Sequence, residues 1–284
     1  MVVRTGRSSG ATTLCTNASL NLRKGDKRIV SKLISFLTAG VLAWCGAVNP
    51  FVAFGQAAVR RAADSPPALE GGSFEIAQHG HRVGAASFSI KRTADGFDST
   101  SLVKVAMQGL DYALSKNEEL SPMDELRHEQ LSATVNGEAV NVVAKPEAAQ
   151  FLVNISARGK STATRLDAHQ SAVFMPDFDP GALETLLALA IRNNSRDLWV
   201  ILPKQSGSIE PVQLMTYPDQ RGKLNGKEIA VHHLVATIAG TQTDLFSGPE
   251  NELLQAELPQ AGFALVRKGF VLDPLAKPEA PRTE

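Results

Sequence analysis

Six histidines and 29 acidic side chains are the groups with which this chain could do acid–base or metal chemistry. His79 and His81 stand two apart, so on a strand they would share a face and make half a metal site. Gly80 between them reads as a turn, and no third His or acid stands at a fixed spacing. His232 and His233 are adjacent and point to opposite faces of any strand, so at most one serves a given site. The expected arrangement is one buried, hydrogen-bonded His beside an exposed one. His128-Glu129 begins a zinc-protease HExxH pattern, but residue 132 is Ser and the second ligand is missing. His169 falls in a polar turn and is expected to face solvent.

The carboxylates offer as little. Asp177 and Asp179 could open a calcium loop, but the spaced acceptors and the terminal Glu are missing. Asp179 before Pro180 reads more simply as a helix cap. Glu118-Glu119 and Asp124-Glu125 fall in a polar connection, where solvated charge is the expectation. Carboxylate pairs could serve a glycosidase, yet beyond residue 55 only Trp199, Tyr112 and Tyr217 could platform a sugar. A G-x-S-x-G nucleophile elbow and phosphate-binding glycine loops are absent from the sequence. Both cysteines, Cys15 and Cys45, precede residue 56, so the rest of the chain has no thiol nucleophile and no disulfide. No catalytic residue, metal ligand or cofactor is assigned.

The elements that would position these groups are mostly strands. Phe74 and Ile76, then Val83 to Ile90, suit two strands linked near Gly80. Phe97 to Ala106 follows Asp95-Gly96, and Leu110 to Leu114 continues the sheet. Residues 115–127 read as a polar connection. Asn136-Gly137 and Asn225-Gly226 each sit between alternating runs, the strongest short hairpin signal. Short strands are expected at 151–157, 161–166, 171–175, 198–203, 210–216, 243–246, 253–258 and 263–267. One segment is helical: Asp179 caps, Pro180 starts, and Leu183, Leu186, Leu187, Ala190 and Ile191 recur at helical spacing. Leu189 lies off that stripe, so the helix is expected to be covered on more than one side. The absence of regular βαβ alternation excludes a dinucleotide fold. The expected fold is mainly β with one substantial helix, a large antiparallel sheet curled into an open or partial barrel around it.

The first 55 residues read as an N-terminal extension and secretory signal. Lys24, Lys27, Arg28 and Lys32 precede an uncharged apolar run from Leu33 to Val48. Pro50 follows, and small residues stand around a cut between Gly55 and Gln56. An uncleaved inner-membrane anchor over residues 33–59 is the alternative. Residues 56–72 read as a flexible lead-in, 73–272 as one β-rich domain and 273–284 as a disordered tail. Removing the seven basic and one acidic side chains of residues 1–55 from 29 of each leaves 22 basic against 28 acidic. That mildly acidic balance gives no electrostatic reason to expect nucleic acid as a partner. Membrane contact is expected only through the leader.

The order of segments carries a resemblance. FEIAQHGHRVGAASFSI opens as a hairpin, DPGALETLLALAIRN is a late capped helix, and LNGKEIAVHHLVA and LLQAELPQAGFALVRKGFVL form a C-terminal ladder. This pattern resembles bacterial exported domains whose fold is similar to the open β-barrels of lipoprotein-localisation factors. The resemblance implies a periplasmic or envelope location and an apolar groove; it implies no catalytic residues. The expectation is thus a non-enzymatic envelope protein. It would bind a lipid, another apolar ligand or an envelope protein on the concave sheet face. Phe88, Ile90, Leu183, Leu186 and Val231 are the candidate groove residues. An exported hydrolase with dispersed acidic and His residues is the alternative.

Overall fold

The computed structural model describes residues 70–204 and 207–274. The expected leader, its cut at Gly55 and Gln56, the lead-in up to residue 69 and the tail beyond residue 274 lie outside these.

The chain first meanders through eight antiparallel strands. They are β1 (Glu70–Gln78), β2 (His81–Arg92), β3 (Phe97–Met107), β4 (Leu110–Leu120), β5 (Leu126–Val135), β6 (Glu138–Glu147), β7 (Gln150–Ala157) and β8 (Lys160–Asp167). After β9 (Ala172–Phe174) comes the helix, α1 (Pro180–Arg192). The chain then adds β10 (Trp199–Leu202), β11 (Ser208–Leu224), β12 (Lys227–Ile238), β13 (Thr241–Ser247), β14 (Leu253–Leu258), β15 (Phe263–Arg267) and β16 (Phe270–Leu272). Spatial order runs from β8 back to β1, then through β15, β14, β13, β12, β11 and β10 to β9. Among the described residues only the β9–β10 pair is parallel.

The two runs are joined where β1 pairs antiparallel with β15. β8 and β9 end the order without pairing to each other, so the sheet stays open. It is also curled. α1 contacts β2 and β3 of the first run, β14 of the second and β9 at its end. Strands so far apart in the order can meet one helix only if the sheet wraps around it. The expected architecture, an open curled sheet around one helix, is the one observed.

Local chemistry explains the turns and the helix. Asn136-Gly137 has φ of 51° and 83°, and Asn225-Gly226 has 52° and 82°, values that favour exactly these residue types at a two-residue hairpin. The Asp179 side chain accepts a hydrogen bond from the Gly181 N–H at 2.9 Å, and Pro180 opens the helix. Ten of the thirteen helical residues are buried, Leu189 among them. Ile191, read as part of the apolar stripe, is instead 56% exposed. It occupies the last turn, where the helix leaves the concave face.

The reading of residues 115–127 needs correction. β4 runs on to Leu120 and β5 begins at Leu126, so only 121–125 connect them. Burial alternates without a break through Tyr112, Leu114, Lys116, Glu118 and Leu120. The segment is polar because two of its inward-facing side chains are charged, not because it is a loop. The expected strand at 210–216 and the alternating run before Asn225-Gly226 are likewise one strand, β11, with an irregularity between Tyr217 and Gln220.

Two cores result. The main one fills the concave face under α1. A smaller one, Val231, Phe246, Leu254 and Phe270, lies on the outer face. Strand parity separates them. Leu245, Leu253 and Leu265 belong to the main core, while their neighbours Phe246, Leu254 and Val266 belong to the outer cluster. β16 covers this outer cluster by pairing with the end of β11, Gly222 to Leu224. A Cβ on Gly222 would stand 2.9 Å from the Phe270 ring and from the Val271 carbonyl oxygen, so β16 sits close only because residue 222 has none.

Candidate functional site

Two places gather polar side chains. The first is inside. Ser99, Glu118 and Glu129 are consecutive cross-strand partners on β3, β4 and β5, and Ser101 pairs with Lys116 one step along. All five are buried. The Lys116 ammonium donates to Glu118 Oε2 at 3.1 Å and lies 2.7 Å from Asp179 Oδ2. Asp179 is also the helix cap, so one carboxylate ties α1 to the sheet and closes its first turn. Gly181 rests on this patch: a Cβ there would fall 2.5 Å from Ser101 Oγ and 3.2 Å from Phe88 Cβ.

Electrostatics follow from the burial. Desolvation alone would lower the Lys116 pKa, but Asp179, Glu118 and Glu129 outweigh it and raise it above the usual lysine range. Burial raises the Glu118 pKa, opposed by Lys116 and reinforced by Asp179. It raises that of Glu129 further, where Glu118 and Asp179 add to the desolvation and only Lys116 opposes. Burial also raises the Tyr112 pKa, with Asp177 and Asp179 adding to it. Ser99 Oγ, Ser101 Oγ, Glu118 Oε1 and both Glu129 carboxyl oxygens have no hydrogen-bond partner, and Asp179 Oδ2 meets Lys116 as an ion pair outside hydrogen-bond geometry. A sealed, fully charged lysine is no nucleophile. This patch anchors the helix; it has no route to a substrate.

The second place is open. A cleft of about 600 Å³ lies between β16 and the outer face of β12 to β15. Phe246, Val266, Phe270 and Leu272 make its apolar side, and Gln220, His233, Asp244, Gln255 and Glu257 its polar side. His233 stacks on Phe246 with centroids 4.6 Å apart and planes at 12°, and the Tyr217 ring from the other neighbouring strand packs against His233 with centroids 5.0 Å apart. These three residues are register partners on β11, β12 and β13. His233 Nε2 meets Asp244 Oδ1 at 2.8 Å, and the Gln220 amide nitrogen meets His233 Nδ1 at 3.3 Å. The Gln220 amide and the Asp244 carboxylate thus engage both ring nitrogens. Neither ring nitrogen is left for a substrate.

The sequence-derived candidates separate. Phe88, Ile90, Leu183 and Leu186 meet in the main core beneath α1. Val231 does not join them; it lies in the outer cluster. That is a correction: β12 is covered on both faces, so an apolar residue of either parity is buried. None of the five lines the open cleft. His79 and Gly80 form the expected turn, with φ of 48° and 80°. Among the described residues no three His, Cys, Asp or Glu side chains are placed to hold a metal. His232 and His233 are both half-buried, the side chain of the first 41% exposed beside Asp219 and that of the second 14% exposed beside Asp244. His169, expected to face solvent, is half-buried and stacks on Trp199 at 3.6 Å. Asp177 pairs with Lys204 at 2.8 Å.

Sequence reasoning missed Lys116 and Glu118 as interior groups, though their shared parity with Tyr112, Leu114 and Leu120 was a usable signal. It also missed the cleft. Gln220, Asp244, Gln255 and Phe270 come from four different strands and have no local signature. No protein-family model matches the chain, and no curated protein and no solved structure matches it either.

Proposed function

We propose that this is an exported, non-enzymatic binding module of the cell envelope, which seats an apolar ligand or an apolar segment of a partner protein in the outer cleft under β16. The observation that carries this reading is the cleft itself. It joins an apolar wall from Phe246, Val266, Phe270 and Leu272 to a polar wall whose one histidine already has both nitrogens engaged. Such a mixture orients a ligand and does not activate one. The hydrolase alternative needs a free base beside a nucleophile, and His233 is committed to Asp244 and Gln220. Export is supported by the basic cluster at Lys24 to Lys32, the apolar run from Leu33 to Val48 and the small residues before Gln56. The concave face is a poorer seat for the ligand, because Phe88, Ile90, Leu183 and Leu186 are already packed against each other beneath α1.

The test is titration of the protein with an environment-sensitive fatty probe. Wild type should bind saturably, and Leu272→Asp, at the cleft wall, should abolish binding while leaving the melting temperature of the main domain within a few degrees. No saturable binding to folded wild type removes the apolar-ligand reading. Binding that survives Leu272→Asp moves the site elsewhere.

A further inference from the structure

The interior patch carries more charge than it can neutralise. Three buried carboxyl groups, Glu118, Glu129 and Asp179, surround one buried ammonium, Lys116. Among the described residues the other faces add no cation. β3 contributes the hydroxyls of Ser99 and Ser101, β2 contributes Phe88 and Ile90, and β6 places Ala144 opposite Glu129. Along β4 the nearest other inward polar group is Tyr112, whose hydroxyl reaches the Asp177 carbonyl, while the Asp177 carboxylate is taken by Lys204. On α1, Thr185 donates to the Gly181 carbonyl, and the Glu184 carboxylate accepts from the Leu253 N–H.

Asp179 caps the helix through Oδ1 and lies 2.7 Å from the Lys116 ammonium through Oδ2. Glu118 shares the same ammonium through Oε2. Glu129 has nothing: both its oxygens are buried and without a partner. Its direct cross-strand neighbour is Glu118, on the same face, and the free oxygen there is Glu118 Oε1. Side chains so placed stand ~5 Å apart at Cβ and can meet at their tips. One proton between the two carboxyls would turn two orphaned acceptors into a charge-assisted O–H···O⁻ bond.

We infer that Glu118 and Glu129 hold one proton between them, and that its loss loosens the docking of the α1 N-terminal turn on the sheet. With the proton present, the patch has two negative charges against one positive. Without it there are three, all away from water; the added charge repels Glu118 and Asp179 and competes with the helix cap for the one ammonium, Lys116. The raised pKa directions of both glutamates agree with this geometry. The sign follows. A carboxyl that keeps its proton in the folded state stabilises that state at low pH. The contribution is lost as pH climbs from the ordinary Glu range, ~4.3, through the folded value.

The experiment uses the full chain. Infrared spectroscopy at neutral pH should show the carbonyl band of a protonated carboxylic acid in wild type, and Glu129→Gln should remove it. Hydrogen exchange followed by mass spectrometry should show α1 opening faster with pH than β7 does. Between about pH 6 and about pH 9 the ratio of the two rates should rise about tenfold or more. In Glu129→Gln, which keeps the shape and cannot ionise, the ratio should stay level. Absence of a protonated-acid band in wild type overturns the inference, as does an unchanged rise in Glu129→Gln. Should Glu129→Gln fail to fold, the wild-type band and its loss on alkaline titration, together with the α1 exchange ratio, decide the matter.

Discussion

Two short segments each cover a face of the same sheet, and they are held in opposite ways. On the concave side α1 presses ten buried residues into the main core and is tied by Asp179 to Lys116, by Glu184 to the Leu253 N–H and by Arg192 to Asp124 at 2.5 Å. On the outer side β16 offers three residues, pairs only with Gly222 to Leu224 and contributes Phe270 to a four-residue buried cluster. The first cover is part of the global fold. The second is a local attachment with few apolar contacts, the kind of element that opens at low free-energy cost. The less firmly held cover is the one that borders the cleft proposed as the binding seat.

The comparison is broken most decisively at Lys116. Lys116→Ala should leave Glu118 and Asp179 buried without their counter-charge, a loss of ~3–5 kcal/mol by analogy with other severed interior pairs. Chemical denaturation should show it as a lower midpoint with an unchanged slope. A loss under ~1 kcal/mol would mean that the patch is hydrated and loosely packed. Leu186→Ala, at the fully buried centre of α1, should cost ~2–5 kcal/mol as a transfer term plus a cavity. A negligible effect in the same assay would remove α1 from the core. Gly181→Ala comes next. The new methyl gains ~1 kcal/mol in helix propensity but must displace Ser101 Oγ and press on Phe88 Cβ. Overpacking of this kind costs ~1–3 kcal/mol, so net destabilisation is expected, and a stabilised variant would show that the helix start can shift.

How much of this was legible depends on which physical signal each element carries. α1 was readable because Asp179, Pro180 and the leucine spacing all report the same local event. The Asn-Gly hairpins were readable because positive φ selects those residues. The second half of β4 was not. Hydropathy assigns Lys116, Asn117, Glu118 and Glu119 to solvent alike, although alternation continues through them, and only the tertiary arrangement shows that Lys116 and Glu118 face a buried Asp179. Among the residues read as groove lining, Phe88, Ile90, Leu183 and Leu186 lie together, packed in the main core beneath α1. Val231 was misplaced because strand parity tells which residues share a face but not that β16 returns to cover the other one. The His233 site was unreadable for the same reason: Gln220, Asp244 and Phe246 reach it through register alone.

On the outer side the same kinds of substitution should read differently. Phe270→Ala removes a buried ring, which in a central core would cost ~3–5 kcal/mol. Here the loss is capped by the small free energy that holds β16 down. The midpoint of global unfolding should move by less than ~1 kcal/mol, while amides of residues 270–273 lose their exchange protection. A full-sized global loss would make β16 part of the cooperative fold and weaken the case for a movable cover.

Gly222→Ala is the mildest change and the sharpest partner to Gly181→Ala. Both glycines lie where a Cβ would collide with a covering segment, yet the obstacles differ. At Gly181 the helix cannot retreat without breaking the Asp179–Lys116 pair. At Gly222 the collision is with the Phe270 ring and the Val271 carbonyl, both on β16 itself, so the segment can lift away and relieve it. β11 and β12 continue to pair across residue 222, because Gly222 meets Ile229 on its other side. The expected result is a global stability change within ~0.5 kcal/mol, with faster exchange at the Asp273 N–H, which the Arg221 carbonyl holds at 3.0 Å. Probe binding should change with it, since the cleft wall moves. If Gly222→Ala instead destabilises the whole domain as much as Gly181→Ala does, the two covers are equivalent and the mobility assigned to β16 is lost.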